Sequence, residues 1–193
     1  MIINMSTYVS TKLIELGSCA FRQWRATHSR CSLIHGYQLK AKFWFGCSEL
    51  DERNWAVDFG GLKELKSKLQ NQFDHTLCVA ADDPQLPLFQ VMNSQGICDL
   101  RIMEKGVGIE RTAEFCFDVA NEHIKQLTDG RCWVEKVEVW EHELNSASYE
   151  APKETKSLSD TVVKAAQVAS KGAPVGNEVT SGLGGFFKGT TWA

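Results

Sequence analysis

The chain has 193 residues, 43% of them hydrophobic and 23% charged, with a formal net charge of -3. That length holds one ordinary domain of roughly 100–150 residues plus extra segments, and two full domains do not fit comfortably. With 21 Lys+Arg against 24 Asp+Glu there is no basic field to hold a nucleic-acid backbone, and no run approaches the ~18 apolar residues of a membrane span.

The chain opens Met1-Ile2-Ile3-Asn4 and turns polar, without the charged and apolar regions of a secretory signal, so a cytoplasmic location is expected. Residues 7–22 read as a strand interrupted near Gly17-Ser18, and residues 37–46 as its antiparallel partner with one polar face. After Asp58-Phe59-Gly60-Gly61, leucines at 62, 65 and 69 with lysines between them predict an amphipathic helix whose start the Gly pair marks. Residues 86–104 read as two short strands around the turn signal Asn93-Ser94-Gln95-Gly96, a hairpin insertion within 81–110.

A second helix is expected to open at Thr112 and to carry Phe115, Val119 and Ile124. Residues 133–141 alternate as an amphipathic strand ending at Glu141. The expectation is an α+β domain over residues 1–150, an antiparallel sheet with two helices on one face. From about Ala151 the composition shifts to Lys, Ser, Thr, Gly and small residues, which reads as a disordered tail over 151–193. Seven cysteines, at 19, 31, 47, 78, 98, 116 and 132, form no CxxC pair and are odd in number, as expected of reduced intracellular thiols.

Cys31-Ser32-Leu33-Ile34-His35-Gly36 places a thiol four residues before an imidazole at the entry to a strand. Taken singly, Cys31 reads equally well as a core thiol. Phe73-Asp74-His75 sets a carboxylate beside an imidazole after the first helix, an arrangement that orients a catalytic histidine or ends a helix on the surface. Glu141, between Trp140 and His142 at a strand end, is either aimed into a pocket or solvated. Gly106-Val107-Gly108 and Gly182-Leu183-Gly184-Gly185 lack a predicted strand-to-helix setting, so no nucleotide cofactor is expected.

Together these pieces resemble the 6-pyruvoyl/6-carboxytetrahydropterin synthase family. Cys31-x-x-x-His35-Gly36 resembles its Cys-x-x-x-His-Gly-His, and Val57-Asp58-Phe59-x-x-Leu62-Lys63 its Val-x-Asp-Phe-x-x-Leu-Lys segment. Phe73-Asp74-His75 resembles its Leu-Asp-His, Thr112-Ala113-Glu114 its Pro-Thr-x-Glu, and Val139-Trp140-Glu141 its Val-Tyr-Glu strand with Tyr149 trailing. Phe21-Arg22-Gln23-Trp24 and Glu141-His142-Glu143 look like a divergent branch associated with marine bacteria and their phages.

The resemblance implies the tetrahydropterin synthase-like T-fold assembled into an oligomeric ring barrel, with a homo-hexamer expected and sites at subunit interfaces. It implies a lyase acting on 7,8-dihydroneopterin triphosphate. The product is 6-carboxytetrahydropterin for 7-deazaguanine (queuosine-type) bases or, as alternatives, 6-pyruvoyltetrahydropterin or none, in a pterin- or purine-binding homologue. By the same resemblance Glu141 and Thr112 bind the pterin, Cys31 is the base, which requires a depressed thiol pKa, and Asp74 and His75 assist proton transfer from the neighbouring subunit. The family's zinc has three histidine ligands, and here only His35 is matched. Arg25 stands at the first ligand position and Tyr37 at the third, with His28 nearby as a substitute. Arginine cannot ligate, so Arg25 is assigned instead to electrostatic contact with substrate.

Overall fold

The computed structural model describes residues 6–150; the tail expected over 151–193 lies outside the described residues. Strand β1, Tyr8–Phe21, runs antiparallel to β2, His35–Cys47, along almost its whole length. The predicted interruption is a bulge within one continuous strand, with the register shifting between Glu15 and Gly17. Ile14 and Leu16 face the core before it, Cys19 and Phe21 after it. A period of two turns the second pair outward unless one extra residue is inserted, and the bulge supplies it. Gly17 takes φ +107°, and a Cβ there would lie 2.2 Å from Asp74 Oδ1.

Asp58 caps a single 3-10 turn, Phe59–Leu62, its Oδ1 accepting from Gly60 N at 2.7 Å. Helix α1, Lys63–Phe73, follows and buries Leu65, Leu69 and Phe73 at a spacing of four. Helix α3, Ile109–Leu127, buries Ala113, Cys116, Phe117, Ala120 and Ile124 against β5, Cys132–His142, and β6, Asn145–Glu150. These two helices share one core with the inward residues of β1, β2 and β5, as the sequence predicts. Helix α3 starts three residues before Thr112. Gly108 precedes it, and Thr112, buried in its first turn, donates N–H to the Gly108 carbonyl.

The expected hairpin over 86–104 is instead helix α2, Leu86–Ser94, followed by strand β4, Leu100–Met103. Leu86, Phe89 and Met92 recur at a spacing of three and pack as one stripe, and Pro87 sits in the first turn, where its missing N–H costs nothing. The Asn93–Gly96 turn signal is the end of this helix, with Gly96 at φ +71° and Ile97 N donating to Met92 O. Strand β3, Thr76–Ala80, pairs parallel with both β1 and β4. The sheet order is β4-β3-β1-β2-β5-β6, so the sheet is mixed where an antiparallel one was expected.

All five residues of β3 are buried. Thr76 and Cys78 meet Cys19 on one face, while Leu77 and Val79 pack with Phe89 of α2 on the other. The extra segment is pinned by Arg22, whose Nε and Nη2 donate to Asp83 at 2.7 and 3.2 Å, with the Asp83 carboxylate fully buried. Among the described residues no helix is long and apolar enough to cross a membrane.

The bulge yields the first prediction. Gly17→Ala forces a side chain into both a left-handed backbone and the Asp74 carboxylate, and denaturant unfolding is expected to show a loss of about 1–3 kcal/mol. An unchanged unfolding midpoint would mean that the bulge does not hold Asp74.

Candidate functional site

Three chain segments converge beyond the end of β1. After Phe21 the chain makes turns and returns, Gln23 N donating to Cys31 O at 2.8 Å. Cys31 sits half-buried in a 3-10 turn, Arg30–Ser32, capped by Ser29, whose Oγ accepts from Cys31 N. His35 and Tyr37 follow on β2, with ring centroids 5.7 Å apart and Phe21 within 4.9 Å of His35. His35 Nδ1 lies 2.8 Å from Leu33 O, and because a carbonyl only accepts, Nδ1 carries the proton, so that in the neutral ring Nε2 is the atom with a lone pair to offer.

Glu141 occupies the bulge near the end of β5, where the β5–β6 register shifts between Trp140 and His142. It lines two surface cavities. One, of about 440 Å³, is shared with Gln23, Ile109, Glu110, Asn145 and Ser146. The other, of about 720 Å³, is an open groove on the sheet's outer face with Lys40, Lys42, Gln38 and Trp140. Burial, then the Glu141 carboxylate and then Cys31 push the Tyr37 phenol above the ordinary tyrosine range.

The Asp74–His75 dyad is held by the β1 bulge. Ser18 N donates to Asp74 Oδ1 at 3.0 Å, and His75 N donates to Ser18 O at 2.7 Å. His75, at φ +59°, sets Nδ1 2.9 Å from the same Asp74 oxygen, its side chain 85% exposed. The structure does not bring this dyad into the Cys31–Tyr37–Glu141 group. Two strand spacings, roughly 10 Å of backbone, separate Tyr37 from the start of β3.

Arg25 points elsewhere: its guanidinium binds Asp82 and covers the Trp24 ring at 4.5 Å, in a third cavity. His28 is exposed on a turn. Among the described residues no three His, Cys, Asp or Glu side chains converge as a metal-binding group. The donors that stand at the expected positions do not fit zinc either. Only His35 offers a lone pair, Tyr37 must lose a proton that its neighbours hold on, and Arg25 has none to give.

Two residues beside Glu141 carried no role in the sequence reading. Gln23 lines the Glu141 cavity, and the His142 ring lies 5.9 Å from that of Tyr37. Their signal was position alone, in segments already matched to the family. The Tyr37 environment carries a prediction with a definite sign. A phenol whose folded pKa is raised keeps its contribution to stability below pH ~10 and loses it as pH rises through the folded value. The absorbance difference between wild type and Tyr37→Phe is expected to show a phenol ionising above pH ~10, with wild-type stability falling more steeply there. A midpoint below that value would remove Glu141 and Cys31 from its surroundings.

A sequence profile of the family described as 6-pyruvoyl tetrahydropterin synthase matches residues 16–152. No curated protein sequence matches the chain. Among solved structures, the fold is similar to that of an uncharacterized protein from Wolinella succinogenes, with TM-score 0.64 and 18% identity over 75% of this chain and 98% of that one. It is also similar to 6-pyruvoyl tetrahydropterin synthase from Plasmodium vivax, with TM-score 0.53 and 16% identity over 76% and 99% of the two chains. The enzyme of that name from Caenorhabditis elegans gives TM-score 0.51 and 18% identity over 78% and 100%. At these identities the structures speak for the fold, and the profile, which runs from the β1 bulge past the end of β6, speaks for the lineage: the chain belongs to the 6-pyruvoyl tetrahydropterin synthase family.

Proposed function

We propose that the chain is a lyase acting on 7,8-dihydroneopterin triphosphate, with 6-carboxytetrahydropterin, the precursor of 7-deazaguanine bases, as its product. The observation that carries this reading is the Glu141 carboxylate lining a polar cavity, one residue before His142, whose ring lies 5.9 Å from that of Tyr37. A carboxylate accepts two hydrogen bonds side by side, matching the ring N–H and exocyclic amine of a 2-amino-4-oxo pterin. Thr112, buried in the first turn of α3, which also carries Ile109 and Glu110 of that cavity, is assigned a part in the pterin pocket by the family resemblance. Cys31 takes the proton from the substrate side chain, and Tyr37, kept as the neutral phenol, donates a hydrogen bond to a side-chain oxygen.

No step is assigned to zinc, since the donor set does not fit it. That same mismatch favours one second reading, a pterin- or purine-binding homologue that retains Glu141 without turnover. We assign Asp74 and His75 to the site of a neighbouring copy, because each chain separates the dyad from its own Cys31. The sheet has two edge strands, β4 and β6, whose unpaired backbone groups further copies can extend, and a ring barrel of six copies closes them.

Two measurements test these assignments. Purified protein, chelated or reloaded with zinc, is incubated with 7,8-dihydroneopterin triphosphate and the products are identified by mass spectrometry. Turnover in both samples is expected, with Cys31→Ala slower by about 10²–10⁴-fold and Glu141→Gln binding the pterin about 10–100-fold more weakly. Turnover only with zinc would mean that the metal is held after all, and none in either sample favours the binding homologue. Light scattering is expected to give six chains per particle, and a monodisperse monomer would sink the shared-site assignment.

A further inference from the structure

Four side chains able to donate hydrogen bonds, Arg22 to Arg25, follow the end of β1, and three of them are tied to one pair of carboxylates. Arg22 donates to Asp83 at 2.7 and 3.2 Å, Trp24 Nε1 donates to Asp82 Oδ1 at 3.2 Å, and the Arg25 guanidinium binds the other Asp82 oxygen. The backbone of Gln23 is also held, its N–H donating to Cys31 O and its carbonyl accepting from Ala26 N, each at 2.8 Å. The Gln23 side chain is the exception. It is half-buried, it lines the Glu141 cavity, and its amide has no hydrogen-bond partner among the described residues.

Gly108, which precedes α3 with φ +126°, leaves room for that amide, since a Cβ there would lie 2.8 Å from Gln23 Nε2. Glu110 Oε2 lies 3.4 Å from the same Cβ position. Turning the amide over would therefore set its oxygen toward a carboxylate, and the N–H orientation is the favoured one.

The other polar side chains of the cavity divide by what they can offer. Glu110 and Glu141 are carboxylates and only accept. Ser146 Oγ gives its proton to Glu138 Oε1 at 2.7 Å, and Asn145 Nδ2 faces His142 Nε2 at 3.1 Å. Among the described residues, Gln23 is thus the one side chain that brings an uncommitted donor to this space of about 440 Å³. A ring edge that satisfies the set presents donors to a carboxylate and an acceptor beside them. In a pterin the 2-amino group and N3–H are those donors, and the 4-oxo oxygen is the acceptor that follows.

We propose that Gln23 determines specificity at this cavity by donating from Nε2 to the oxo group beside the ring N–H that Glu141 binds, so that a 4-oxo ring is accepted and its 4-amino counterpart refused. Gln23 has this role only if Glu141 holds a pterin, as proposed above. It belongs to Phe21-Arg22-Gln23-Trp24, a segment in which the chain departs from the family's motifs. An amino group in place of the oxo oxygen turns the acceptor into a donor, so N–H meets N–H at Gln23, and the ring nitrogen facing Glu141 has lost its hydrogen. Polar groups left unpaired in this way cost more than a missing favourable contact, which is why a single amide can discriminate.

Calorimetric titration of the full chain with neopterin and with its 2,4-diamino analogue, identical in side chain, tests the assignment. Wild type is expected to bind neopterin about tenfold or more tightly than the analogue. Gln23→Leu, which keeps the bulk and removes the donor, is expected to weaken neopterin about tenfold and to leave the analogue within about twofold. Gln23→Glu, the same shape with acceptors only, is expected to move the preference further toward the analogue, and it keeps the ratio measurable should the leucine variant fail to fold. Neopterin binding with one oxo-to-amino ratio in wild type and variants, or equal losses for both ligands, would overturn the role of Gln23 and leave the pterin reading intact. No neopterin binding by wild type would overturn the pterin reading and the role of Gln23 with it.

Discussion

One inserted residue in β1 governs where everything else goes. The strand pairs with β2 along its length and with β3 at its end, and without the bulge at Gly17 its two halves face opposite sides of the sheet. With it, Ile14, Leu16, Cys19 and Phe21 all reach one core. The space left by the missing Cβ is taken by Asp74, whose carboxylate accepts from Ser18 N. That bond fixes the end of α1, and the next bond, His75 N to Ser18 O, sets β3 beside β1 and parallel to it. A packing constraint in the first strand thus decides the direction of the fourth element.

The parallel direction has a functional consequence. Strands β1, β3, β4 and β5 all end at the level where β2 and β6 begin, and α3 starts there too. Gln23, Cys31, His35, Tyr37, Lys105, Arg111 and Glu141 come from distant parts of the chain yet gather at this end. The buried Arg22–Asp83 pair sits at the same level and is the cross-link between β1 and the extra segment. Breaking such a pair leaves an uncompensated charge, so the extra segment is tied to the end of β1 rather than hung loosely beside it.

What the sequence made legible follows from the strength of each physical signal. Strands β1, β2 and β5 alternate along one buried face, and α1 and α3 carry long apolar stripes, so all five were readable from period alone. Strand β3 is buried on both faces and shows no alternation, while β6 is a polar edge strand with no apolar run, so neither announces itself. Helix α2 was misread because its cap, Asn93 to Gly96, is chemically the same signal as a hairpin turn. Of the candidate site, Asp74 and His75 follow α1, His35 opens β2 and Glu141 lies near the end of β5 as read, whereas Thr112 lies within the first turn of α3 rather than at its start. What stayed hidden was which side chains meet: that Arg25 turns to Asp82, that Asp74 answers Gly17, and that Gln23 stands between two cavities.

The exchange of two metal-ligand positions for Arg25 and Tyr37 changes the kind of electrostatics available beside Glu141. An imidazole brings a lone pair suited to a metal, whereas a phenol that burial, a carboxylate and a thiol drive to keep its proton stays a neutral hydrogen-bonding group rather than an anionic ligand. The guanidinium does not restore a positive centre there, because Asp82 and the Trp24 ring hold it at the neighbouring cavity. The cations that share a groove with Glu141 are instead Lys40 and Lys42 of β2.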